Sequence, residues 1–482
     1  MPPEAAARGH VIAGETVAAA DGRTFTSVDP ATAEPIASVA LGGGEDISRA
    51  VNAARAAQPG WERIGPMERM RLFLRLADLV ERNAENLAEM ETRDVGKPIR
   101  EAQSRDLPTV LRTWLYWAGW PTRAHGSTPP ADPGVFTYTL REPLGVVGAI
   151  TPWNFPLVIA SWKLAPALAC GNTVVHKPAE ESPLTALRLA ELALQAGFPP
   201  GVWNVVTGDA EAGAALAGHE DVDKLSFTGS TETGRAIQRA AASNLKRLTL
   251  ELGGKSANVV LDDADLDAAL EGALRATFRN QGQVCTAGGR LVAHQRVAGP
   301  LVDRLAERVQ ALRVGSPQDP ETDVGPLVSE RQRQHVLDLY GAAVAEGSKA
   351  AVGGGPARVE ALPNGYFVQP SIFVDTTPEM RLNREEIFGP AVGVIRVADE
   401  AEAVRVANDT RFGLAAAVWT RDGARAHRVA KALRAGTVWV NTYGGLDPYA
   451  PYGGRGLSGY GYELGPEAAE EYTVLKTVRN AI

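Results

Sequence analysis

The sequence predicts an α/β protein built on parallel sheets, and three observations carry that prediction. From residue 145 onward, short apolar runs without polar alternation follow one another, at 145–150, 173–175, 203–206 and 224–227. Stretches with helical periodicity separate or follow them, at 183–196, 210–217 and 232–242. Strands apolar on both faces, alternating with helices, form a parallel sheet covered on each side. The third observation is that the same alternation restarts after Gly253-Gly254. Strands are expected there at 257–261, 371–374, 392–396, 415–420 and 437–441, with helices at 266–278, 300–312, 330–345, 401–408 and 423–433. A second α/β unit therefore follows the first, with a boundary near the glycine pair.

The N-terminal part is helical in pattern at 46–57 and 67–92. Leu72, Leu76, Leu79 and Val80 form an apolar stripe, and Gly96-Lys97-Pro98 supplies a stop signal. Residues 122–140 differ, being rich in Pro and Gly before they alternate through Phe136, Tyr138 and Leu140. They read as an edge strand or a projecting hairpin. The segment 471–478 is again strand-like, and two outlying strands invite pairing with each other or with another subunit.

At 482 residues the chain calls for two or three domains, and 45% hydrophobic with 22% charged residues is a globular composition. A net charge of −8 opposes phosphate backbones and anionic membranes, so neither nucleic acid nor lipid is an expected partner. Two cysteines, Cys170 and Cys285, make no disulfide framework and point to a reducing cytoplasm. Residues 1–10 contain no apolar stretch of signal-peptide type. The apolar region 144–175 is interrupted by Asn154, Lys163, Asn172, Pro152, Pro156 and Pro166, which marks it as core and not as a membrane span.

Four constellations carry chemistry. A lone cysteine is ordinarily a small buried hydrophobe, as Cys170 is expected to be within Leu168-Ala169-Cys170-Gly171. Cys285 differs, because a helix runs into the Gly- and Gln-containing turn Asn280-Gln281-Gly282-Gln283 just before it, where backbone approaches a substrate closely. A thiol near its reference pKa is mostly protonated at neutral pH, so a nucleophile there needs help from its surroundings. Glu251 ends an apolar run before Gly253-Gly254. Most such carboxylates are solvated, yet this position suits a general base raised by desolvation. Asn154, in Thr151-Pro152-Trp153-Asn154-Phe155-Pro156, is either a turn former or a rigidly held amide donor to an oxyanion, worth about 10²–10³ in rate. Residues 227–235 link a strand to a helix start, where Gly229 and Ser230 suit a pyrophosphate, although the G-x-G-x-x-G fingerprint is absent. Lys177 and Glu180 follow another strand, as a solvated turn or as ribose ligands, where a carboxylate would disfavour a 2′-phosphate.

In this order the motifs TPWNFP, NTVVHKPAE, FTGSTETGR, LELGGKSANVV, NQGQVCTA, EEIFGP and PYGGRGLSGYGYELG span nearly the whole chain. They resemble the aldehyde dehydrogenase superfamily, in its hydrolytic, non-CoA-acylating branch. The resemblance implies a Rossmann-type cofactor domain (1–121 and 141–252), an α/β catalytic domain (253–454) and a small β bridging domain (122–140 and 469–482) that mediates a homodimer or homotetramer. It implies NAD(P)-dependent oxidation of a small-molecule aldehyde to its acid through a cysteine thiohemiacetal and thioester, with no metal. Cys285 matches the nucleophile, Glu251 the general base and Asn154 the oxyanion donor. Trp153, Lys177, Glu180, Gly229, Ser230, Glu386 and Phe388 match cofactor contacts, and Glu463 matches a second acid near the base. Glu180 favours NAD, with NADP possible. Phe155, Trp162, Arg279, Thr286 and Tyr452 match the substrate pocket. Arg279 stands where an aromatic is frequent, and arginine there receives a substrate carboxylate in some semialdehyde-oxidising relatives. Trp162, however, replaces the second arginine such relatives can carry, and Tyr452 and Leu446 replace phenylalanines common in small-aldehyde enzymes. A semialdehyde dehydrogenase is thus the alternative reading.

Overall fold

The first series of apolar runs forms one eight-stranded sheet in a computed structural model that describes residues 6–482. Its spatial order is Gly459–Tyr460, Arg247–Glu251, Lys224–Thr228, Val146–Ile150, Thr173–Lys177, Trp203–Val205, His10–Ile12 and Glu15–Val17. The five strands from Arg247–Glu251 to Trp203–Val205 pair in parallel, and antiparallel strands close both edges. Val146–Ile150, Thr173–Lys177 and Lys224–Thr228 are buried throughout, which is why they show no polar alternation. Register places Ile150 beside Lys177 and Phe227, and Thr228 beside Glu251. The loops that leave these strands therefore emerge together at their carboxyl ends, where open α/β sheets bind ligands.

A second sheet of seven strands runs Lys349–Val352, Ser371–Val374, Ala391–Val397, Arg290–His294, Ala257–Val260, Ala415–Trp419 and Thr437–Val440. All its pairs are parallel except that of Lys349–Val352. The α/β class predicted from the sequence is thus present. Val135–Pro143 and Thr473–Ala481 form a separate antiparallel ribbon with Phe136, Leu140 and Leu475 exposed on it. The two outlying strands pair with each other.

Several expectations need correction. Residues 67–92 are two helices, Pro66–Arg82 and Ala84–Val95. They break at Asn83, whose side-chain amide turns back to the Leu79 carbonyl at 2.7 Å. The helix expected from residue 300 begins earlier, as Gln295–Gln310, because the His294 ring caps the Arg296 N–H and the helix tolerates Pro300 inside it. The helix Leu107–Ala118, the strand Arg290–His294 and the three-stranded sheet of Ala6–Arg8, Glu34–Ala40 and Thr24–Asp29 carried no recognisable pattern. Helices Pro66–Arg82, Leu107–Ala118, Pro156–Ala169 and Leu184–Ala196 pack on the first sheet around Trp61, Phe73, Trp114, Phe198 and Trp203, whose rings touch in succession. Among the described residues, no helix is long and apolar enough to cross a membrane.

Candidate active site

The turn before Cys285 is built from conformations most residues avoid. Helix Leu266–Phe278 ends, and Asn280 (φ 46°), Gln281 (φ 54°) and Gly282 (φ 69°) follow in the left-handed region. Each non-glycine residue there costs on the order of 1 kcal/mol, so the surroundings must hold it. They do: the Asn280 N–H donates to Glu101 at 3.1 Å, and the Gln281 amide donates to the carbonyls of Gly96 (2.7 Å) and Pro326 (2.9 Å). The Gln283 side chain in turn accepts the Val328 N–H at 3.0 Å. At Gly282 a Cβ would lie 2.0 Å from the Gly389 carbonyl oxygen, so only glycine fits.

This turn delivers Cys285 to a wall shared by two cavities. One, of about 500 Å³, is lined by Phe155, Val158, Ile159, Trp162, Arg279, Thr286, Leu446 and Tyr452. The other, of about 570 Å³, is lined by Trp153, Asn154, Gly229, Ser230, Gly253, Glu386 and Phe388. Cys285 Sγ lies 3.4 Å from the Tyr452 hydroxyl. Burial pushes its thiol up to about 12, while the Tyr452 hydrogen bond and the Thr286 N–H oppose that shift and the charges of Glu386 and Glu251 add to it. Cys170 is likewise pushed up to about 12 by burial, but it lines neither cavity.

Asn154 lies in the loop between Val146–Ile150 and Pro156–Ala169 and is fixed from two sides. Its side-chain amide donates to the Gln283 carbonyl at 2.9 Å, and its own carbonyl accepts the Asn280 amide at 2.9 Å. Glu251, at the end of its strand, is buried, and neither carboxylate oxygen has a hydrogen-bond partner. Burial raises its carboxyl well above the ordinary range, and the like charge of Glu463 adds to this. Glu463 is itself held by Lys163 at 2.6 Å and by the Ser226 hydroxyl at 3.0 Å. Glu386 accepts the Gly254 N–H at 3.1 Å, and burial raises it to about 7. The Trp153 and Phe388 rings meet edge to face at 5.2 Å. Ser230 caps helix Thr231–Ala240 through the Thr233 N–H. Lys177 and Glu180 stand apart from both cavities, with 3.7 Å between their charges.

Arg279 faces the first cavity, but its charge is already engaged. Its guanidinium donates to Asp106 at 3.2 Å, lies 3.8 Å from Glu101 and sits 5.2 Å from the Phe155 ring centre. Asp106 also holds Lys97, which binds Glu91 at 2.5 Å and stands 4.4 Å from the same ring. Sequence reading missed this network, since Gly96-Lys97-Pro98 registered only as a helix stop. A buried charge requires a partner, but the burial of Lys97 shows only in the fold. Also missed were Arg105 and Arg112, which line the same cavity, and Tyr443, whose hydroxyl donates to the Thr286 carbonyl at 2.6 Å.

The second cavity fits a dinucleotide. A helix N-terminus opens onto it, and a Cβ on Gly253 would strike the Glu386 carboxylate at 2.3 Å, so the backbone there is bare where that carboxylate sits. The two compartments meet at the half-buried Cys285 thiol, an arrangement that suits an enzyme handling a cofactor and a substrate side by side. The comparisons agree with that class. The model of the aldehyde dehydrogenase family matches residues 17–478. Retinal dehydrogenase 2 of Mus musculus is 48% identical over 463 residues, covering 95% of this chain and 88% of that protein. The mitochondrial aldehyde dehydrogenase of Mesocricetus auratus is 49% identical over 461 residues, covering 95% and 91%. The NAD+ complex of an aldehyde dehydrogenase from Bacillus cereus superposes with a TM-score of 0.97 at 44% identity, covering 98% of this chain and 96% of that one. The chain belongs to the aldehyde dehydrogenase family. It is an oxidoreductase that converts an aldehyde to the carboxylic acid with a nicotinamide cofactor.

Proposed function

We propose that Cys285 is the nucleophile of an NAD-dependent dehydrogenase for aldehydes with an apolar body, and that the shared wall at Cys285 is the observation that carries this reading. The Cys285 thiolate attacks the aldehyde carbon, giving a thiohemiacetal whose oxyanion is met by the Asn154 amide and the Cys285 N–H. NAD, when bound, accepts the hydride that leaves this carbon, and a thioester remains on Cys285. Glu251 takes a proton from water, which hydrolyses the thioester and frees the acid. Its unpartnered, desolvated carboxylate suits that task, because burial holds it well above the ordinary carboxylate range and so makes it a stronger base. Trp153, Gly229, Ser230, Glu386 and Phe388 hold the cofactor, with Lys177 and Glu180 toward its adenosine end. Preference for NAD over NADP rests on Glu180.

Phe155, Val158, Ile159, Trp162, Leu446 and Tyr452 make the wall next to Cys285 apolar, which supports an aliphatic or aromatic aldehyde. A second reading, an aldehyde bearing a distant carboxylate, draws on Arg105. That side chain is exposed, lines the cavity and has no salt bridge among the described residues, whereas Arg112 pairs with Asp447 at 3.4 Å. The first sheet serves as the cofactor domain and the second as the catalytic domain. The ribbon of Val135–Pro143 and Thr473–Ala481 serves to bridge subunits of a homodimer or homotetramer. Two unpaired cysteines support a reducing, cytoplasmic setting.

NADH absorbance across a panel of neutral and carboxylated aldehydes tests the reading. Cys285→Ser should abolish oxidation while NAD still binds, and undiminished turnover would overturn it. Glu251→Gln should give a burst of NADH of about one equivalent and then stall. In the unaltered enzyme, hydrolysis should rise with pH through a midpoint well above the ordinary carboxylate range, as Glu251 loses its proton.

A further inference from the structure

Tyr452 touches the reacting sulfur, and its ring and its hydroxyl are held by different things. The ring packs against Trp162 at 5.5 Å between centroids, in an apolar cluster with Leu414 and Leu464. Its backbone exchanges hydrogen bonds with Glu463, at 3.1 and 2.8 Å, which fixes where the ring points. Among the described residues the hydroxyl has one partner, Cys285 Sγ at 3.4 Å. While the sulfur carries a proton, either atom is able to donate. Once the sulfur is a thiolate it has no hydrogen, so the phenol must be the donor.

The sulfur has little other help. Glu251, from the end of Arg247–Glu251, and Glu386, from the loop before Ala391–Val397, both disfavour a negative sulfur. Thr286 offers its backbone N–H, and the Tyr443 hydroxyl is committed to the Thr286 carbonyl. Tyr452 is the one side-chain donor at the sulfur among the described residues. Burial, with the charges of Cys285 and Glu251 next, holds the phenol well above its ordinary range, so it keeps its proton near neutral pH.

We propose that the Tyr452 hydroxyl is a catalytic hydrogen-bond donor to the Cys285 thiolate, enlarging the fraction of sulfur that is ready to attack. The proposal rests on reading Cys285 as the nucleophile. No proton passes through the tyrosine, whose O–H bond stays whole. As the S–C bond forms, the electron pair of the carbonyl π bond moves to the aldehyde oxygen, the sulfur becomes neutral and the hydrogen bond slackens.

Tyr452→Phe separates this role from packing, because it keeps the ring on Trp162 and deletes only the oxygen. The readout is the rate of Cys285 alkylation by iodoacetamide between pH 7 and 9, in a Cys170→Ala background so that one thiol remains. A thiol one pKa unit higher holds about tenfold less thiolate in this range. The more basic sulfur is about threefold more nucleophilic, leaving alkylation about threefold slower. A merely steric hydroxyl would give the opposite sign, since its removal opens the approach to the sulfur. Slower alkylation at every pH, with KM for a neutral aldehyde within twofold and an unchanged melting temperature, supports the proposal. Equal or faster alkylation overturns it and leaves the nucleophile reading intact, which falls instead if Cys285→Ser still oxidises aldehydes.

Discussion

At the scale of single residues, Arg279 shows how structure redirects a sequence reading. Six positions before Cys285, the proposed nucleophile, it invites assignment as a substrate-carboxylate receptor. In the fold its guanidinium lies between Asp106 and Glu101 and over the Phe155 ring, so its charge is matched before any substrate arrives. Removing it frees Asp106 and loosens Phe155, next to Asn154. Arg279→Ala should therefore lower kcat by about tenfold for neutral and carboxylated aldehydes alike, since small displacements of reacting groups weigh heavily on rate. A loss confined to carboxylated substrates in a kcat/KM comparison would assign Arg279 to the substrate. Asn154, Glu251 and Cys285 were legible as candidates because each sits in a local motif with strong turn or strand character. The Lys97, Asp106 and Arg279 network was not, because Arg279 meets Asp106 across a separation of 173 positions that no local spacing encodes.

At the scale of elements, the turn from Asn280 to Gly282 shows strain held by its neighbours. Three consecutive left-handed residues persist because Glu101, Gly96 and Pro326 accept hydrogen bonds from it, while Val328 fixes the next residue, Gln283. Gly282→Ala meets the Gly389 carbonyl, so the turn must shift and carry Cys285 with it. A displacement of about 1 Å there should lower kcat about 100-fold, with a smaller effect on cofactor affinity, checked by steady-state kinetics beside NAD titration. Most helices and strands from residue 145 onward were readable from period and punctuation. The strand Arg290–His294 and helix Leu107–Ala118 escaped because a short apolar run, or a helix rich in Trp and Thr, has no signal apart from its packing.

At the scale of the whole molecule, Asp94 ties three parts together. Buried on helix Ala84–Val95, it accepts the Ser27 hydroxyl at 2.8 Å from the N-terminal sheet and the Leu184 N–H at 3.0 Å from the start of helix Leu184–Ala196. Burial raises its carboxyl to about 7 against the opposing pull of those two bonds. A folded state that keeps this proton longer than the unfolded chain gains stability at low pH and loses it as pH climbs through about 7. Glu91 and Glu386, each raised to about 7, act in the same direction. Asp94→Asn removes one such term, so the variant should melt about 1–2 °C above the parent at pH 8 and show no such advantage at pH 5. Scanning calorimetry at the two pH values decides it, and a parallel fall at both would mean that the ionised carboxylate is the form the fold prefers.

The sulfur that both compartments share also shapes the order of traffic. If Cys285 is the nucleophile as proposed, aldehyde and dinucleotide reach it from the two different cavities, so neither has to wait for the other to leave. On that reading spent cofactor would be free to depart while the acyl group is still attached, and the vacated cavity would admit the water that releases it. An inhibitor lodged among Phe155, Trp162 and Leu446 would compete with aldehyde yet leave dinucleotide binding untouched. One that displaced the dinucleotide would leave the aldehyde's way in open.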